Sequence, residues 1–298
     1  MKKYILTILI SVAGALAMPA GSRAADGDLF PYPVPPEDMQ VLSQRCNYII
    51  DNFWKRCDFK SAMSTMDKFN RTFGDWVQLM PYASADTVHM VIDRLIDNTK
   101  KSGPQTLTIA RLAEGWLYSD TAEIRSEEIY LPFARAAATN KKVPSADRKY
   151  FEKHVKIIES SGLDATVPNL EFTRPDGSTG HLHDITAPNV LIIISTPDCL
   201  DCRLDAVRLG VDLNTNKLIE EGGLQIVNIF DADPASTEWK ERAESLPKEW
   251  TVGAIDNIDE YFNLSSMPAY CFTTAEHKVI ANNLRLDNII YALGRVRQ

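Results

Sequence analysis

The chain has 298 residues, 45% of them hydrophobic, enough for two ordinary soluble domains. Its formal charge of −8, with no lysine or arginine cluster, excludes the basic surface that nucleic acid and anionic membranes require. Five cysteines at irregular spacing exclude the disulfide framework of a small secreted scaffold.

The first residues have the pattern of a targeting segment. Lys2 and Lys3 supply a positive start and Ile5 to Leu16 an apolar run. Small-residue cleavage sites follow at Ala15-Leu16-Ala17 and at Ser22-Arg23-Ala24. The run is too short for a permanent span of a bilayer core roughly 30 Å thick, although an uncleaved anchor helix is the alternative. No cysteine follows it, so a lipoprotein attachment site is absent. The expectation is an exported, periplasmic-type protein with residues 1–24 as signal peptide and no stable membrane span. Export makes disulfides or thiol chemistry the natural use of its cysteines.

A proline-rich linker, residues 25–35, leads into a helical region at 36–162. Met39, Leu42, Cys46, Ile49, Phe53 and Cys57 recur at helical spacing and predict a first helix. Ser84 caps a second that stops at Ser102-Gly103-Pro104. Leu107 to Leu117, Ser126 to Ala138 and Ser145 to Ser160 follow, for five or six helices without a strand.

After Gly162 the period changes. Val167 to Phe172 and Thr179 to Leu182 bracket a hairpin turn at Pro175-Asp176-Gly177. Val190 to Ile194 is a continuous β-branched and aliphatic run, the pattern of a buried central strand. Cys202 to Glu221 predicts a helix, Leu224 to Phe230 a second buried strand, and Glu238 to Leu246 a helix. Ala269 to Thr273 and Lys278 to Ala281 form a second hairpin, and Asp287 to Val296 a last helix. Residues 163–298 are therefore a mixed α/β layer after an all-α domain.

Cys199-Leu200-Asp201-Cys202 follows a buried strand and opens a helix. Both sulfurs then lie at the first helical turn, where unpaired N–H groups and the positive end of the dipole favour a thiolate. Such a thiolate attacks a disulfide and the second cysteine resolves the adduct. Position makes Cys199 the attacker and Cys202 the resolver. Zinc would need a second cysteine pair, and haem attachment a histidine where Arg203 stands. A static structural disulfide remains the alternative reading.

Residues 166–296 resemble the secreted thioredoxin-like thiol-disulfide oxidoreductases and cytochrome-maturation reductases. The likeness is carried by Val167-Pro168-Asn169-Leu170, Asp176-Gly177, the strand at Val190, the Cys199/Cys202 pair and Met267-Pro268-Ala269. It implies a thioredoxin-like fold, a redox-active disulfide and no cofactor beyond it. It also implies that Pro268 is a cis-proline and that Met267 and Pro268 face a substrate strand; a plain proline at a strand start is the alternative. The partners implied are protein thiols and disulfides and an upstream electron donor.

Two features depart from the family. Ser195-Thr196-Pro197-Asp198 replaces the usual aromatic residues, and Ile193 stands where a buried acid is common. Pro197, Asp198 and Asp201 tune the site, the two acids opposing a low thiol pKa, so a reducing protein is expected more than an oxidising one. A non-catalytic scaffold on the same fold is the rival function. The helical region resembles an uncharacterised helical domain found before secreted thioredoxin-like domains, through Tyr48 to Trp54 and Asp58-Phe59.

The remaining candidates are set aside. Cys46 and Cys57 would lie roughly 16 Å apart on a continuous helix, too far to bridge, and Cys271 is a core residue. His181 and His183 share a strand face without a third ligand, so no metal site is expected. His89, His154 and His277 lie among polar residues and are expected at the surface.

Overall fold

Prolines at 31, 33, 35 and 36 keep the chain extended ahead of the first helix. The computed structural model describes residues 29–119, 121–282 and 284–295, so the expected signal peptide and the start of the linker lie outside the described residues. The proline segment is not a free tether. Phe30 is buried and packs edge-on to Phe53 at 5.6 Å and Trp54 at 5.8 Å.

Seven α-helices follow: α1 (Leu42–Asn52), α2 (Phe59–Ala62), α3 (Met66–Gln78), α4 (Ala85–Thr99), α5 (Gly103–Leu117), α6 (Glu127–Thr139) and α7 (Ser145–Ser161). The first helix does not run to Cys57. It tightens into a 3-10 turn at Phe53–Arg56, which turns both Phe53 and Trp54 into the core. Helix α3 was not expected, although Phe69, Phe73, Trp76 and Val77 recur on one face and are fully buried. Ser102 and Ser126 cap α5 and α6 by accepting from Gln105 and Ile129 N–H. The buried cluster that these helices share is drawn from residues 30–158 alone.

The second half starts with the hairpin β1 (Glu171–Thr173) and β2 (Thr179–His181). Its turn has Gly177 at φ 83°, and the Asp176 carboxylate accepts from the Ser178 N–H at 2.9 Å. Then come β3 (Asn189–Ser195), α8 (Leu200–Val211), α9 (Leu213–Glu220), β4 (Gln225–Asp231), α10 (Glu238–Ala243), β5 (Thr251–Ile255), β6 (Ala269–Thr274), β7 (Val279–Asn282) and α11 (Leu286–Arg295). The single helix expected from Cys202 to Glu221 is broken at Asp212, whose carboxylate caps α9 by accepting from Thr215 N–H at 2.8 Å.

The sheet order is β2-β1-β5-β4-β3-β6-β7, with β3, β4 and β5 parallel and β6 antiparallel to β3. Strand β5 was not anticipated; it joins the hairpin to the central strands. Alternation sorts β3 cleanly between the two faces. Val190, Ile192 and Ile194 pack with Ile258 and Phe262, whereas Leu191 and Ile193 pack with Leu209 of α8, Leu218 of α9 and Leu293 of α11.

Polar contacts tie the halves together. Lys153 pairs with Asp259, and Lys156 with Glu260 at 2.6 Å while lying 5.1 Å from the Tyr261 ring. Arg125 donates to Ser265 Oγ at 3.2 Å, and Asn282 to Glu127 Oε2 at 2.7 Å. None of the buried apolar clusters draws on both halves.

Three histidines depart from expectation. His277 is buried with φ at 58° and stacks on His183 at 4.3 Å, the planes 6° apart. His183 lies in a 3-10 turn after β2, so it does not share a strand face with His181. His154 is half-buried, its Nδ1 2.7 Å from the Tyr130 hydroxyl. Desolvation holds both His154 and His277 below the ordinary imidazole pKa, and for His277 the neighbouring His183 adds to it. Among the described residues no helix is long and apolar enough to cross a membrane.

Candidate functional site

Parallel pairing of β3 with β4 forces the chain to leave β3 at the edge where α8 begins, and Cys199 is the residue that caps that helix. Its backbone is extended, its N–H donates to Thr196 O at 3.2 Å, and its Sγ accepts from Cys202 N–H at 3.0 Å. Cys199 and Cys202 form a disulfide with their Cα atoms 5.3 Å apart. The two sulfurs differ in access. Cys199 is half-exposed, while Cys202 is buried at 8%.

The Met267-Pro268 bond is cis. Pairing of Ile194 with Ala269 puts Pro268 level with Ser195, so it stands at the same edge of the sheet as the disulfide. The structure thus brings Cys199, Cys202, Met267 and Pro268 to one end of two neighbouring strands. Pro197 is half-buried, and Asp198 and Asp201 are exposed on either side of Cys199. Cys271 lies farther down β6 opposite Ile192, unpaired, its thiol pushed up by burial. Cys46 is likewise buried and unpaired, and burial pushes the Cys57 thiol up to about 12.

Ile193 is buried among aliphatic and aromatic side chains, so the position expected for an acid carries none. The polar group there comes instead from the next strand. Asn228 is in register with Ile193 and, buried at 3%, donates to Ser195 Oγ at 2.9 Å. This pair floors a groove of about 540 Å³ that opens beside Cys202 and runs between α8 and the segment after α10. Sequence reading missed Asn228, Arg203 and Arg242 in that groove. Asn228 did leave a signal, as an amide with two apolar residues on either side in Ile226-Val227-Asn228-Ile229-Phe230.

These features define a thioredoxin-like fold in the C-terminal half, with a helical domain before it. A thioredoxin-like protein from Bacteroides caccae superposes with a TM-score of 0.78 at 20% identity, over 91% of this chain and 99% of that one. The C-terminal domain of an uncharacterised protein from Bacteroides fragilis matches at 21% identity and TM-score 0.43, over 46% of this chain and 99% of its own. The thioredoxin domain of a thiol-disulfide oxidoreductase from Bacteroides vulgatus matches at 20% identity and TM-score 0.39, over 46% and 98%. The first of these likenesses shows the shared fold; the other two are too weak to add to it. The chain belongs to the family described as a domain of unknown function, DUF5106, whose pattern matches residues 12–161. No curated protein matches it.

Proposed function

We propose that the protein is an exported thiol-disulfide oxidoreductase that exchanges disulfides with protein clients through Cys199 and Cys202, favouring reduction. The observation that carries this reading is the unequal burial of two bonded cysteines on the first turn of α8. In the dithiol form, the Cys199 thiolate is favoured by the helix dipole and by the Cys202 N–H aimed at its sulfur. It attacks one sulfur of a client disulfide, forming a Cys199–client S–S bond and expelling the other client sulfur as a thiolate. Cys202, deprotonated in turn, attacks Cys199 Sγ. The mixed disulfide breaks, the second client thiol leaves, and the Cys199–Cys202 bond remains. Two electrons pass to the client, and an external dithiol must return them for a further cycle. The segment at Met267 and Pro268 offers backbone groups to the client strand beside the reacting sulfurs.

Export is supported by the charge, apolar run and cleavage pattern of the first 24 residues. The exposed Asp198 and Asp201 oppose thiolate formation, which favours a reducing couple over a strongly oxidising one. In the reduced wild type, disulfide reduction should follow simple second-order kinetics. Cys199→Ser should abolish it, and Cys202→Ser should accumulate mixed disulfides that a reductant releases. If Cys202→Ser collects no covalent partner from the export compartment while the wild type is active, the assignment of roles fails.

A further inference from the structure

Helix α8 is apolar on its outer face. Leu200, Leu204, Val207 and Val211 fall at spacings of four, three and four, and form one ridge along the helix, 54–65% exposed for the first three and 70% for Val211. An unbroken apolar ridge next to a reactive pair marks an interaction surface. Charges on the two flanks of this helix are treated differently. On one flank Asp205 accepts from the Tyr270 hydroxyl at 2.7 Å, and Arg208 pairs with Asp287. On the other lies the groove, with Arg203 on its helix wall and Arg242 on the facing wall. Among the described residues neither arginine pairs with a carboxylate.

The groove lies on the β4 side of the disulfide, with Asn228 and Phe230 of β4 in its lining, whereas Pro268 lies on the β6 side. From Cys202 to Val211 it follows about 13 Å of helix, the length of about four extended residues. We propose that this groove docks the client: an extended peptide segment with apolar side chains beside its cysteine and carboxylates within the four residues that follow, received by Arg203 beside Cys202 and by Arg242 on the facing wall. This deepens the thiol-disulfide reading above and rests on it. A second copy of the chain is a poorer occupant, because a two-fold contact through this face would bring the same arginines towards each other.

The test uses the reduced full-length protein and three probes. Two are short peptide disulfides with identical apolar residues beside the cysteine, one carrying glutamates and the other lysines three and four residues away. The third is a small aromatic disulfide. At low ionic strength the acidic peptide should react about tenfold faster than the basic one, and the gap should close as salt is added. In Arg203→Glu/Arg242→Glu the preference should reverse; the ratio of the two peptides cancels any change in the reactivity of Cys199. Val207→Asp, at an exposed position, should slow the acidic peptide relative to the small disulfide. A peptide ratio near one with an active small disulfide overturns the docking proposal and leaves the redox reading standing. Failure of all three probes overturns the redox reading and the docking proposal with it. A dimer that Val207→Asp dissociates, seen by light scattering, assigns the ridge to a second copy and also overturns the proposal.

Discussion

Severing the chain after Leu163 should leave a C-terminal half that folds and reduces a small disulfide nearly as fast as the whole protein. The cut falls between two separately packed cores, one drawn from residues 30–158 and the others from residues 167–293. Residues beyond it belong to the second half: Asp164 N–H donates to Val279 O, and Val279 N–H returns a bond to Ala165 O. What the cut removes is polar. The ion pairs Lys153–Asp259 and Lys156–Glu260 have side chains 45–52% exposed, where water and salt screen them, so they add little. The Arg125–Ser265 and Asn282 hydrogen bonds add about 1 kcal/mol each. The three hydrogen bonds therefore dominate the loss, about 3 kcal/mol in all, and less once the freed groups regain water. A domain of this size holds about 5–15 kcal/mol, so it remains folded. Urea unfolding of residues 164–298 should show one cooperative transition at a lower midpoint than in the full chain. The reduction rate on a small disulfide should stay within about threefold, since no residue of the first half lines the groove beside Cys202. A fragment that is folded yet inactive on the small disulfide refutes the reasoning, because the helical half would then be shaping the site through the Arg125 and Ser265 contact.

Replacing Asp198 and Asp201 together with asparagine removes two exposed negative charges beside Cys199, so the Cys199 thiol pKa should fall and the couple become more oxidising. Titration of thiolate absorbance in the reduced protein checks this, and an unchanged value shows that both side chains point away from the sulfur. Stability should fall on acidification below about pH 6.5, because the unfolded chain takes up protons on His154 and His277 before the native one does, both imidazoles being held low by burial. The slope of unfolding free energy against pH in that range should flatten in His277→Asn, asparagine being tolerated at its positive φ. An unaltered slope would mean that His277 titrates alike in both states.

Local features of this chain were legible in the sequence. The Asp176-Gly177 turn, the buried run at Val190 to Ile194 and the helix start at Cys199 each follow from a few consecutive residues whose backbone preferences agree. The change from helical to strand period near Gly162 likewise marked where one core stops and the next begins. Two misses were local and readable: Asp212 with Thr215 is a capping pair that divides α8 from α9, and Phe69 to Val77 has helical spacing. Others depended on strand register and packing between distant segments. Asn228 takes up the polar position beside Ile193 because β4 pairs with β3 at that offset. His277 meets His183 because the turn before β7 folds against the segment after β2, and β5 finds its neighbours only once the hairpin docks. The groove beside Cys202 is of the same kind. It exists because α8 and the segment from Arg242 to Pro247 come together over β4, which spacing along the chain does not encode.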